Sequence, residues 1–195
     1  MPTIVLGTLG GCALGIVARG WMRLISDDPE FSWSGTVFIV AGFTIFGLGQ
    51  SIAAVARTRI GRRRNLTMVR VIGAVTMLPL FVAAGAVLLP TVVGGGLAMA
   101  RTEWRSAVRI VCLVVAAGPV VFVGRDLIDR FGWSVQSTCG FGLMIAIYAM
   151  IVWATRFTFA AQRDGWRMSR RARVAILLGV AALGSLLVLS SVGVG

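Results

Sequence analysis

The sequence predicts an all-α integral membrane protein, a bundle of six or seven transmembrane segments that forms a single domain over residues 1–195. Composition is the first reason, because 57% of the residues are hydrophobic and only 13% are charged. A soluble domain carries about 25% charged residues. The second reason is that the charges stand in short clusters. The apolar stretches between them run to about 18 residues or more, enough for a helix to cross the hydrocarbon core.

Tryptophan placement is the third reason. All six tryptophans lie at or just beyond the ends of apolar stretches, as in the aromatic belts found at both membrane interfaces. The stretches divide the chain into six apolar segments separated by five charged connections. These segments are 3–24, 33–56, 69–100, 106–124, 133–154 and 174–193. We expect the first to be retained as a span, because no arginine precedes it and no small-residue cleavage site follows it.

The first segment carries a strip of small residues. Gly7, Gly11 and Gly15 recur every four residues and therefore share one helix face. Small residues at this spacing let two backbones approach closely, and they favour helix association in lipid, where apolar burial contributes little. We therefore predict a tight contact between this face and another helix, which belongs either to this chain or to another membrane protein.

The third segment decides the predicted topology. It is broken by Pro79, Pro90 and Gly94–Gly96, and proline interrupts helices because it lacks an N–H donor. If the segment crosses twice as a short helical hairpin, connections two, three and five share one side with 15 arginines, against 4 on the other. Cytoplasmic loops carry the excess of arginine. We therefore favour a cytoplasmic amino terminus and a double crossing, with six plain spans as the alternative.

Arginine also recurs every four residues at the third connection, at Arg101, Arg105 and Arg109. Such a stripe suits anionic lipid headgroups or, alternatively, an acidic loop of a partner. Because the arginines lie at the ends of apolar runs, the net charge of +12 indicates a membrane surface and no nucleic acid.

The fifth connection, residues 156–173, mixes arginines with aromatic residues. This pattern is typical of a segment that lies on the cytoplasmic leaflet. The alternative is a docking surface for a soluble cytoplasmic partner. The arginines that we expect to contact lipid or a partner here are Arg163, Arg167 and Arg171.

The residue inventory limits the chemistry that we expect. The chain has no histidine, its three cysteines show no pairing or metal-binding spacing, and no carboxylate lies deep inside an apolar segment. The sequence therefore lacks the side chains needed for a proton relay, for a histidine-ligated metal or haem, and for an imidazole base. We expect no catalytic residue, no metal and no cofactor.

Two functions fit this inventory. The first is a non-catalytic accessory or scaffold subunit that packs against other integral membrane proteins and anionic phospholipids, for example in an envelope lipid transporter or a respiratory assembly. The alternative is a small uncoupled channel or carrier, with Gln50 as a candidate pore-lining residue near the broken third segment. All 19 basic residues are arginine, a bias that suggests a GC-rich genome, such as that of an actinobacterium, and hence the bacterial cytoplasmic membrane.

Overall fold

The computed structural model describes residues 2–26, 32–59, 63–84, 87 and 89–160. The regular elements of these residues are helices and include no strand, so the predicted all-α class is confirmed for them. The sixth apolar segment, 174–193, and the predicted contact residues Arg163, Arg167 and Arg171 lie outside the described residues. The helices are α1 Pro2–Leu24, α2 Trp33–Arg59, α3 Arg63–Val75, α4 Leu78–Ala84, α5 Leu89–Ala100, α6 Ser106–Phe131 and α7 Val135–Phe159.

Four of these helices, α1, α2, α6 and α7, are long and apolar enough to cross a membrane. Their apolar stretches span 23 to 26 residues, or about 35 to 39 Å of helix, compared with about 30 Å of hydrocarbon. The polypeptide is therefore a membrane protein by the length and composition of its helices. The predicted single spans 3–24, 33–56, 106–124 and 133–154 fall within α1, α2, α6 and α7, apart from the two residues that precede α7.

The third apolar segment is divided among α3, α4 and α5, so it is broken as the prolines predict. Pro79 and Pro90 are each the second residue of a new helix, a position where the missing N–H costs nothing. Gly94–Gly96, which the sequence suggests as a further break, instead lie inside α5. At 12 residues, α5 is about 18 Å long and too short to cross a bilayer alone.

Three chain segments meet at one end of the bundle, which we call the arginine end. Arg57 Nη2 donates to the carbonyl oxygen of Ala160, just after α7, at 3.0 Å, and Arg70 Nη2 donates to the same oxygen at 2.9 Å. The chain returns there after α5, since a Cβ on Gly96 would lie 2.7 Å from Phe159 Cδ2 at the end of α7. Arg109 Nε at the start of α6 donates to Ala98 O at 3.1 Å. The third apolar segment therefore begins and finishes at the same end of the bundle.

The position of α5 along the bundle follows from its contact with α6. Thr91, in the first turn of α5, donates its hydroxyl hydrogen to Ala116 O at 2.8 Å. Ala116 lies about 15 Å along α6 from its start, close to the middle of that helix. The three short helices α3, α4 and α5 thus form a hairpin that leaves the arginine end and returns to it, and α5 begins about halfway along α6. We call it the re-entrant hairpin.

The triple glycine explains how α5 fits between two long helices. A Cβ on Gly94 would lie 2.7 Å from Cys112 O in α6, and a Cβ on Gly95 would lie 3.0 Å from Val152 in α7. A Cβ on Gly96 would lie 2.5 Å from Thr155 Oγ1 in α7. The missing side chains let α5 approach the backbone of α6 and the side chains of α7 this closely.

The opposite end of the bundle is closed by α1, α2 and the turn between α6 and α7. Gln136 Nε2 donates to Leu24 O at 2.6 Å, and the buried indole of Trp21 donates to Gly140 O in α7 at 2.7 Å. The turn uses Gly132, whose φ of 62° favours glycine. Ser134 then caps α7 by accepting a hydrogen bond from the Ser137 backbone N–H at 3.2 Å.

The core lies where α1, α2, the re-entrant hairpin and α7 meet. Met77, Leu80 and Val92 of the hairpin are fully or almost fully buried. They belong to one apolar cluster with residues of the long helices, namely Leu14, Ala18, Trp21, Ile39, Phe43, Phe46, Met144, Ile147, Tyr148 and Ile151. The hairpin therefore supplies part of the protein core.

Candidate functional site

Three arginines from separate elements gather at the arginine end and form the arginine cluster. Arg57 stands in the last turns of α2, Arg70 in α3, and Arg101 directly after α5. Arg57 and Arg70 share the carbonyl oxygen of Ala160, so their guanidinium groups lie side by side. Arg101 is close enough for its charge to act on both of them. The return of the hairpin therefore brings together three positive charges.

Little negative charge compensates this cluster among the described residues. Arg101 Nη1 lies 3.3 Å from Glu103 Oε1, and the carboxylate side chain is 47% exposed. Burial, followed by the positive charge of Arg101, lowers the pKa of the Arg70 guanidinium, which nevertheless stays protonated at neutral pH. The Nε atoms of Arg70 and Arg101 are buried and have no hydrogen-bond partner in the described part of the chain. The cluster thus has donors and charge available for an anion.

A second polar group, the Gln50 junction, joins α2, α3 and α7 just inside the arginine cluster. Gln50 is 3% exposed. Its Nε2 donates to Gly73 O at 3.2 Å, and its Oε1 accepts a hydrogen bond from Thr158 Oγ1 at 2.7 Å. The candidate pore-lining residue is therefore hydrogen-bonded through both ends of its amide to neighbouring helices.

The glycine strip of α1 packs against α2 of the same chain. A Cβ on Gly11 would lie 2.5 Å from Phe43 O, and a Cβ on Gly15 would lie 3.0 Å from the Val40 Cα. A Cβ on Gly7 would meet the Ser51 side chain and would lie 3.1 Å from Gly47 O. Gly47 completes the contact from α2, since a Cβ there would collide with the carbonyl of Gly7. Helices α1 and α2 are thereby held backbone to backbone, and the strip is covered within this chain.

The stripe Arg101, Arg105 and Arg109 is separated into different environments. Arg101 joins the arginine cluster and lies over the Trp104 ring at 5.9 Å. Arg105 is exposed, whereas Arg109 bonds the last turn of α5. The three side chains therefore have different contacts, and their contact with lipid or a partner stays a prediction.

The spacing of residues along the chain did not single out Arg57 and Arg70. Both belong to the second connection, whose six arginines indicate membrane orientation and give no sign of which two turn inward. Their inward placement depends on α3 folding back along α2, a tertiary feature. The sequence feature that indicates this fold-back is the break at Pro79 and Pro90, because it allows the third apolar segment to end near its own start.

Chemically, the arginine cluster can bind and orient an anion, because guanidinium groups offer several N–H donors in a planar fork. Within the described residues, no three His, Cys, Asp or Glu side chains lie close enough together to hold a metal ion.

No protein-family model, curated protein or solved structure matches this chain.

Proposed function

We propose that the protein is a non-catalytic accessory or scaffold subunit of a larger complex in the bacterial cytoplasmic membrane, where it packs against other integral membrane proteins and anionic phospholipids. The observation that supports this most is the use of its buried polar side chains. Gln50, Thr91 and Trp21 each hydrogen-bond a neighbouring helix. Polar groups used in this way fasten helices together in lipid.

The membrane arrangement that we propose has four full crossings and the re-entrant hairpin in the described part of the chain. The arginine end faces the cytoplasm, because the three arginine-rich connections begin or end there and cytoplasmic loops hold the excess of arginine. Helix α1 also begins at this end, since Gly7 faces Ser51 of α2, which gives a cytoplasmic amino terminus. A soluble cytoplasmic partner at residues 156–173 belongs to the same proposal.

Outward-facing apolar surface supports contact with lipid and other membrane proteins. Helix α6 packs on the bundle through small or buried residues such as Cys112 and Ala116. Its other side exposes large apolar residues, and that surface could be covered by lipid chains or by a partner helix. The exposed residues are Ile110, Val111, Leu113, Val114, Val121 and Phe122.

Purification from the native membrane in a mild detergent tests the proposed function. We expect the full-length protein to co-migrate with a larger complex at constant stoichiometry through two orthogonal separations, because an accessory subunit is retained by its neighbours. A harsh detergent that separates membrane subunits serves as the control and should release the protein. Recovery of the protein alone in the mild detergent, together with ion or solute flux after reconstitution, would contradict the accessory role.

The re-entrant hairpin favours a second candidate, an uncoupled channel or carrier. Discontinuous helices that end near the membrane midplane recur at the binding sites of transporters, and α5 begins close to the middle of α6. The Gln50 junction supports the accessory role over this candidate, because Gln50 is 3% exposed and its amide is bonded at both ends. Flux through liposomes containing the purified protein alone distinguishes the two.

A further inference from the structure

We propose that the arginine cluster is a binding site for one phosphate group of an anionic phospholipid, held at the mouth of the re-entrant hairpin. This inference rests on the proposed function, which includes contact with anionic phospholipids, and it names the residues that bind the lipid. It concerns Arg57, Arg70 and Arg101, the last of which the sequence already suggests as a lipid-contacting residue.

Unused hydrogen-bonding capacity is the first argument. Arg70 donates to Ala160 O and Arg101 donates to Glu103 Oε1, although each guanidinium has five N–H donors. The buried Nε atoms of Arg70 and Arg101 have no acceptor among the described residues. Buried donors in native structures normally have a partner. A phosphate group supplies several acceptor oxygens, and arginine binds these oxygens in pairs.

Charge is the second argument. Three guanidinium groups lie near one another, and Arg57 and Arg70 both feel the repulsion of Arg101. Glu103 pairs with Arg101 of the cluster, and its side chain is 47% exposed. One bound anion would reduce the repulsion among the three arginines. Basic pockets between transmembrane helices on the cytoplasmic side bind anionic headgroups for this reason.

Position favours a lipid headgroup over free phosphate. Trp104 lies beside Arg101, and Arg156 stacks over Trp153 at 4.1 Å at the same end of α7. Tryptophan and arginine in such pairs are typical of headgroup depth. Trp153 is 51% exposed, so this side of α7 can contact lipid. A lipid can therefore place its phosphate among the arginines and its chains along the helices.

Binding is measured on the delipidated full-length protein in neutral detergent, by the change in Tm on titration with phosphatidylglycerol. Phosphatidylcholine and inorganic phosphate are titrated in parallel. We expect a saturable rise in Tm with phosphatidylglycerol and no comparable rise with the other two. Equal stabilisation by phosphatidylcholine, or by inorganic phosphate at the same free concentration, would overturn the proposal.

Two substitutions locate the site. Arg70→Gln should weaken the binding of phosphatidylglycerol by about tenfold, since it removes one charge-assisted pair. The matched control is Arg125→Gln, which removes an exposed arginine near the opposite end of the bundle. This control should change the affinity by less than about twofold. Equal weakening by the two variants would indicate a diffuse surface effect and would contradict a defined site.

Glu103→Gln is a further variant that keeps the test decisive if Arg70→Gln does not fold. It removes the carboxylate that pairs with Arg101 and should strengthen binding by about threefold. Unchanged or weaker binding would count against the proposal. Lipid affinity and co-migration with a partner complex are separate measurements, so failure of this site and failure of the accessory role can be told apart.

Discussion

Gly11→Leu is expected to separate α1 from α2 and to lower the free energy of unfolding by about 3 kcal/mol, at the upper end of the cost of overpacking. The new Cβ would lie 2.5 Å from Phe43 O and 3.1 Å from the Gly47 Cα. Both are backbone atoms, so no side-chain rotation relieves the clash. The measurement is denaturation of the purified protein in mixed micelles, followed by helix content and tryptophan fluorescence.

The neighbouring residue provides a matched control. Gly10 is exposed and points away from α2, because a Cβ there would have no atom within 4 Å. Gly10→Leu introduces the same side chain one position earlier, and we expect a change below about 0.5 kcal/mol. Similar losses of stability in both variants would show that leucine in this helix is harmful in general and would refute the backbone contact between α1 and α2.

Gln50→Leu is expected to lower the free energy of unfolding by about 1 to 2 kcal/mol. It removes the hydrogen bond to Gly73 O and the acceptor of the Thr158 hydroxyl while keeping a side chain of similar size. Hydrogen bonds between transmembrane helices contribute about 0.6 kcal/mol each on average, and unpaired buried groups add to the cost. The same denaturation assay measures the effect.

A double-mutant cycle with Thr158→Val tests whether the loss comes from this junction. If Gln50 and Thr158 are bonded, the double variant should lose less stability than the two single variants together. Gln136→Leu is the control, because it also removes a hydrogen bond to a backbone carbonyl, that of Leu24, but from an exposed side chain. A Gln50→Leu variant with full stability but altered solute flux would support a pore-lining role and contradict the junction.

The sequence was sufficient to predict the class of the fold and the broken third segment. The long apolar stretches fix where α1, α2, α6 and α7 can lie, because only helices satisfy the backbone in hydrocarbon. Pro79 and Pro90 mark helix starts for an equally local reason, the missing N–H. The triple glycine was ambiguous, since Gly94–Gly96 are compatible with a break and equally with a helix that packs closely against two neighbours.

The partners within the candidate site could not be predicted because they are set by tertiary packing. Gly11 has a recognisable spacing, but nothing in α1 identifies Gly47 as its counterpart. Arg57, Arg70 and Arg101 come from three elements and meet only because the re-entrant hairpin returns to its starting end. The sequence also leaves open whether Gln50 lines a water-filled pore or bonds another helix, since an amide side chain can form hydrogen bonds in both settings.

Cysteine accessibility measures most directly whether the re-entrant hairpin enters and leaves at one end of the bundle. The native cysteines Cys12, Cys112 and Cys139 are first replaced by alanine. Single cysteines are then placed at Arg59, before the hairpin, and at Thr102, after it. Each variant is treated in intact cells with a membrane-impermeant maleimide before and after permeabilisation.

Both positions should react only after permeabilisation, which places them together on the cytoplasmic side, as at the arginine end of the bundle. Cysteines at Ser32 and Trp133, next to the opposite end, should react in intact cells and confirm that the reagent works. Reaction of the residue 59 and residue 102 cysteines from opposite sides would mean that the third segment crosses the membrane once, and it would contradict the re-entrant hairpin.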